Sequence, residues 1–131
     1  MFDAQGANGV KRKARLVVTV LLLALPYAAP ADMGSEIQHL LRYVESSGCQ
    51  FERNNSVYDS EEARAHIERK YSYVKPEVKE TEDFIKYAAT ESSMTGRKYY
   101  VICNGRKQAS SEWLHNEPAR YRNRNPVGTA E

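Results

Sequence analysis

Glu62, His66 and Lys70 stand at i, i+4 and i+8, so a carboxylate, an imidazole and an amine share one stripe of any helix that carries them. A carboxylate that orients a histidine is the raw material of general acid–base chemistry. The plainer reading is a solvated helix border held by a salt link, and nothing else in the spacing argues against it. Ser92, Ser93 and Thr95 precede Gly96, with Arg97 beside them, a hydroxyl-rich loop that can hold a sugar or an anion through hydroxyl and N–H groups. The same hydroxyls can instead satisfy the carbonyls at the end of the preceding helix. A serine nucleophile finds less support, because no Gly-x-Ser-x-Gly elbow surrounds Ser92 or Ser93. His39, His66 and His115 are far apart, and no pair has zinc-finger or His-Glu-x-x-His spacing, so neither a metal nor a cofactor is expected.

These groups must be positioned by a small number of elements. Cys49-Gln-Phe51-Glu-Arg53 and Lys98-Tyr99-Tyr100-Val101-Ile102-Cys103-Asn104 alternate with period two, as half-buried strands do. Cys49 and Phe51 face one way on the first strand, as do Tyr99, Val101 and Cys103 on the second. The two cysteines thus fall where same-side side chains can meet, and an exported chain would join them as a disulfide rather than keep two buried thiols. Asn54-Asn55 makes a hairpin back to Val57-Tyr58, and Asn104-Gly105 is a second turn signal.

Around these strands the spacing predicts four short helices. Ser35 to Gln38 reads as a capping box ahead of the stripe Ile37, Leu40, Leu41, Val44, with Gly48 as the stop. Asp59 to Glu62 is a second box opening a helix to about Tyr71, with Ala63 and Ile67 inward and Pro76 beyond its end. Thr81 opens a third, with Phe84, Ile85, Ala88 and Ala89 apolar. Ser111 caps a last one bearing Trp113 and Leu114, which Pro118 either ends or turns. The expected fold is α+β: four short helices packed on a small, mainly antiparallel sheet of two or three strands, with one disulfide.

Residues 1–31 read as a signal peptide. Lys11-Arg12-Lys13-Ala14-Arg15 is a basic leader to the apolar run Leu16–Leu25, and Ala29-Pro30-Ala31 has small residues where a peptidase cuts. The run is about half the ~20 residues needed to span a bilayer, so cleavage near Ala31 is expected rather than stable membrane insertion. Residues 32–122 form one domain, and 123–131 a disordered tail without periodicity. The leader also carries much of the positive charge. It holds four of nineteen basic side chains and one of seventeen acidic ones, leaving fifteen basic against sixteen acidic from Asp32 onward. The pI of about 8.5 is therefore no sign of nucleic-acid binding. What remains is uneven, with seven basic and three acidic groups in 97–131, and internal complementarity with the acidic remainder explains it most simply.

Ser47-Gly48-Cys49-Gln-Phe51-Glu-Arg53-Asn54, then Glu62-Ala63-Arg-Ala-His66 with Lys70-Tyr71, Glu82-Asp83-Phe84-Ile85, Ser92-Ser93-Met-Thr95-Gly96-Arg-Lys-Tyr99, and Trp113-Leu114 with Arg120-Tyr121-Arg122 together resemble the YfeK-like family of small exported bacterial proteins of unknown function. The resemblance covers nearly all of the chain after the leader. It implies export, to the periplasm or the extracellular space, and a single disulfide-bearing domain, and it supplies no reaction. In two places the chain departs from that pattern: Asn55 stands where glycine commonly follows Arg-Asn, and Pro118 where a helix former is usual. The leading expectation is a non-enzymatic binding or interaction module of the cell envelope. Arg53, His66, Lys70, Ser92 and Ser93 are expected in one surface patch that takes a polar or anionic envelope component or an envelope protein, not nucleic acid. The alternative is a small hydrolase-like enzyme using His66 with Ser92 or Ser93.

Overall fold

Two tight hairpins decide how the strands pair. The computed structural model describes residues 32–126, so the signal-peptide reading of residues 1–31 lies outside the described residues. Strands β1 (Gln50–Arg53) and β2 (Ser56–Tyr58) are joined by Asn54 and Asn55 at φ 50° and 67°. Strands β3 (Tyr100–Cys103) and β4 (Arg106–Ala109) are joined by Asn104 and Gly105 at φ 51° and 77°. Two central residues in the left-handed region define the hairpin turn whose twist matches that of the flanking strands, and asparagine tolerates it best after glycine. The hairpins lie side by side through β1 and β3, giving one antiparallel sheet in the order β2-β1-β3-β4.

The architecture is α+β, as the alternation predicts, with four strands in place of two or three. The strand missed is β4. Its sequence Arg-Lys-Gln-Ala has none of the β-branched or aromatic character of a strand, and it pairs because the Asn-Gly turn delivers it to the β3 edge.

Phe51 lies opposite Val101, and both point into the core. Continuing that register brings Cys49 opposite Cys103. Their Cα atoms are 4.8 Å apart and the sulfurs are bonded. The disulfide therefore staples the central strand pair close to the end of α1 (Met33–Ser46), whose chain turns into β1 through Gly48 at φ 67°.

Helices pack on the Phe51 and Val101 face. Ile37, Leu40, Leu41 and Val44 of α1 are each at most 1% exposed. They meet Ala63 and Ile67 of α2 (Ser60–Val74), and Phe84, Ile85 and Ala88 of α3 (Thr81–Ala88), with Ala89 just after it. Asp59 caps α2 by accepting from the Glu62 N–H at 2.8 Å. The helix runs past Tyr71 to Val74, and a 3-10 turn over Lys75–Glu77 holds Pro76. Ser35 does not cap α1, which begins two residues earlier with Asp32 before it. Glu36, the next residue, is instead drawn into the interior. Nor does Ser111 cap the next helix, which opens at Ser110 after an extended Ala109.

The expected last helix is two: α4 (Ser110–His115) and α5 (Glu117–Arg124), with Pro118 in the first turn of α5, where its missing N–H costs nothing. The second runs through Arg124, and charged side chains tie it to the rest of the fold. Glu36 is 3% exposed, and its carboxylate accepts from Arg122 Nε at 2.7 Å, from Arg122 Nη2 at 2.6 Å and from the Thr81 hydroxyl. Glu117, equally buried, faces His39 Nε2 at 2.8 Å and Arg124 Nη2 at 2.9 Å. Arg122 on Glu36, together with Lys107 on Glu52 at 2.9 Å, joins the basic C-terminal third to acidic groups earlier in the chain.

Candidate functional site

Arg53 is the last residue of β1 and projects on the inner side of the sheet, where α2 passes over it. One turn apart on α2, His66 and Lys70 face the same way. The structure brings Arg53, His66, Lys70, Ser92 and Ser93 to one open groove of about 380 Å³, together with Arg69, Tyr99 and Asn54. Glu62, the first member of the i, i+4, i+8 stripe, is exposed and is not among the groove's lining residues.

The polar groups form a connected chain. Arg53 Nη1 lies 3.0 Å from His66 Nδ1 and 3.1 Å from Nε2. A guanidinium only donates, so His66 must accept and its ring is neutral. Burial lowers the His66 pKa to about 4, and Arg53, Lys70 and Arg69 reinforce the shift by repelling a second cation. The ring nitrogen Nε2 also lies 3.3 Å from the Tyr99 hydroxyl oxygen. The Lys70 ammonium is also 3.3 Å from that oxygen, lies over the Tyr99 ring, and donates to the Glu91 carbonyl. The Tyr99 oxygen accepts from Lys70, and the hydroxyl carries a hydrogen of its own. Burial raises the Tyr99 pKa and keeps that hydrogen in place at neutral pH. The other end of Arg53 is fixed by Tyr58, whose ring it covers and whose hydroxyl accepts from Nη2 at 3.2 Å.

The second wall is the 92–96 loop. Ser92 is buried, and its hydroxyl oxygen accepts from the N–H groups of Met94 and Thr95, each at 3.3 Å, and from Asn54 Nδ2 at 3.5 Å. Thr95 donates to Asn54 Oδ1 at 2.7 Å, which locks the β1–β2 hairpin tip to the loop. Ser92 thus shapes the wall and keeps only its O–H hydrogen for a ligand, whereas Ser93 is exposed on the groove.

This geometry gives the serine-hydrolase alternative no support. Among the described residues His66 is hydrogen-bonded to Arg53 and Tyr99 and to no serine. A histidine with a cation against its nitrogens is also a poor base at neutral pH. What the groove offers is donors: a guanidinium, an ammonium and a phenol held by neighbours, with Arg69 beside them. Sequence reasoning passed over Tyr99 and Arg69. Alternation places Tyr99 on the core side of its strand, correctly, but only the packing reveals that its hydroxyl emerges at the rim.

Fold and site together define a disulfide-stapled α+β domain with a cationic groove between one helix, one hairpin and one loop. The chain belongs to DUF5329, a family of unknown function, whose profile matches residues 31–122. No curated protein and no solved structure matches it.

Proposed function

We propose that this protein is an exported, non-enzymatic binding module of the bacterial cell envelope, and that the groove holds a polar or anionic ligand. In this reading residues 1–31 are removed as a signal peptide, and the domain of 32–122 acts in the periplasm or outside the cell. The Cys49–Cys103 bond supports an oxidising compartment. The resemblance to the YfeK-like family supports export from a bacterial cell.

The observation that carries the reading is the arrangement of Arg53, Lys70 and Tyr99, three donors held at fixed positions by His66, Tyr58 and Glu91 and open to the groove. Donors held in place before the ligand arrives lose little entropy on binding, and an anion satisfies them all. Calorimetry with inorganic phosphate as the probe tests it. Binding should weaken as salt rises, and Lys70→Gln should reduce affinity about tenfold, the loss of one charge-assisted hydrogen bond. Phosphate binding that is unaffected by Lys70→Gln would overturn the reading.

A further inference from the structure

Large apolar side chains exposed on the described residues are Val57, Tyr73 and Met94, and two of them stand on the rim of the cationic groove. Tyr73 is 78% exposed and Met94 95%. Neither is exposed through slack in the chain. Tyr73 lies in the last turn of α2, one turn beyond Arg69 and Lys70 and so on the same side of the helix. Met94 is on the loop that Ser92 and Asn54 tie down, with its own N–H bonded to the Ser92 hydroxyl. Two apolar prongs thus flank a pit of donors, and no acidic side chain is among the residues lining it.

A soluble anion would use the donors and leave the prongs in water. A bilayer surface uses both. Basic side chains are attracted to anionic headgroups, while an aromatic ring and a flexible thioether favour the boundary between headgroup and acyl chain. Resting on the anion-binding reading above, we propose that the groove docks the protein on membranes by receiving the phosphate of an anionic phospholipid headgroup, with Tyr73 and Met94 entering the interfacial layer on either side. Arg53, Lys70 and the Tyr99 hydroxyl take the phosphate oxygens. Arg69 on the adjoining turn adds field rather than a fixed contact. The contact is peripheral and reversible, since two side chains and one headgroup fall far short of the anchoring of a spanning helix.

Co-sedimentation with phosphatidylcholine vesicles, with and without phosphatidylglycerol, is the test, run beside a titration with inorganic phosphate. The protein should sediment with the phosphatidylglycerol vesicles and not with phosphatidylcholine alone. The double variant Tyr73→Ser, Met94→Ser removes only exposed side chains and should fold normally. It should lose about tenfold or more in vesicle affinity while its response to inorganic phosphate is unchanged. Three results would overturn the proposal: equal binding to both kinds of vesicle, full vesicle binding by the double variant, or a phosphate response without vesicle binding. The last leaves the anion-binding reading standing. Absence of both phosphate and vesicle binding ends the two together.

Discussion

Arg122 is itself nearly half exposed, yet it neutralises a carboxylate that is almost wholly buried. Its hydrogen bonds hold the Glu36 pKa below the usual range against the opposing effect of burial, with the Thr81 hydroxyl helping. Arg122→Ala strands that carboxylate, and chemical denaturation should show a loss of about 3 kcal/mol. Exposed Arg120, 3.6 Å from Glu117 and on the same helix, should cost under about 1 kcal/mol when changed to alanine. Acid acts on both sides of the fold. His66 titrates at 6.5 unfolded and about 4 folded, so its share of stability is full above pH 6.5 and is lost as pH falls toward 4. Glu36, lowered from 4.5, contributes above that pH and loses its share as pH falls through its folded value. An NMR titration should therefore place the His66 ring midpoint near 4, and a midpoint near 6.5 would show that the ring is neither buried nor set against Arg53. The role of Glu36 was not legible beforehand. Glu36 looked like the second position of a capping box, and its partners lie 45 and 86 positions away. Pairings of that range leave no periodic trace.

At the level of elements, local chemistry was more informative. The stripe Ile37, Leu40, Leu41, Val44 identified the buried face of α1, and Gly48 marked its end, because both are near-neighbour effects. Asn54-Asn55 and Asn104-Gly105 each gave a turn of the expected kind. β4 was not legible, since its place in the sheet is imposed by the turn before it rather than by its own residues. The two asparagines of the first hairpin should now behave differently. Asn55, at φ 67°, sits where glycine is unstrained, so Asn55→Gly should raise stability by up to about 1 kcal/mol. Asn54 also has positive φ, but its side chain binds Ser92 and Thr95. Asn54→Gly should free the 92–96 loop, read as faster amide exchange at Met94 and Thr95, and weaken ligand binding more than stability.

Across the described residues, the disulfide and the ion pairs on Glu36 and Glu117 tie distant elements to one core. The disulfide closes a loop with a sequence separation of 54, and its reduction should remove about 4 kcal/mol of stability in denaturant titrations. The uneven charge of the chain, acidic before residue 97 and basic after, was legible as complementarity without being legible as Arg122 on Glu36 or Lys107 on Glu52. In the same way the sequence offered Arg53, His66, Lys70, Ser92 and Ser93 as candidates by residue type, while their meeting in one groove depends on how α2 crosses the sheet. Export is checked by mass spectrometry of the secreted protein, which should begin at Asp32. The central claim, an anion-binding groove, is tested most directly by titrating ¹⁵N-labelled protein with inorganic phosphate. Saturable shifts should cluster at Arg53, Arg69, Lys70, Ser93 and Tyr99. Shifts confined to Arg97, Lys98 and Lys107 on the opposite face of the sheet, or no saturable shift at all, would contradict it.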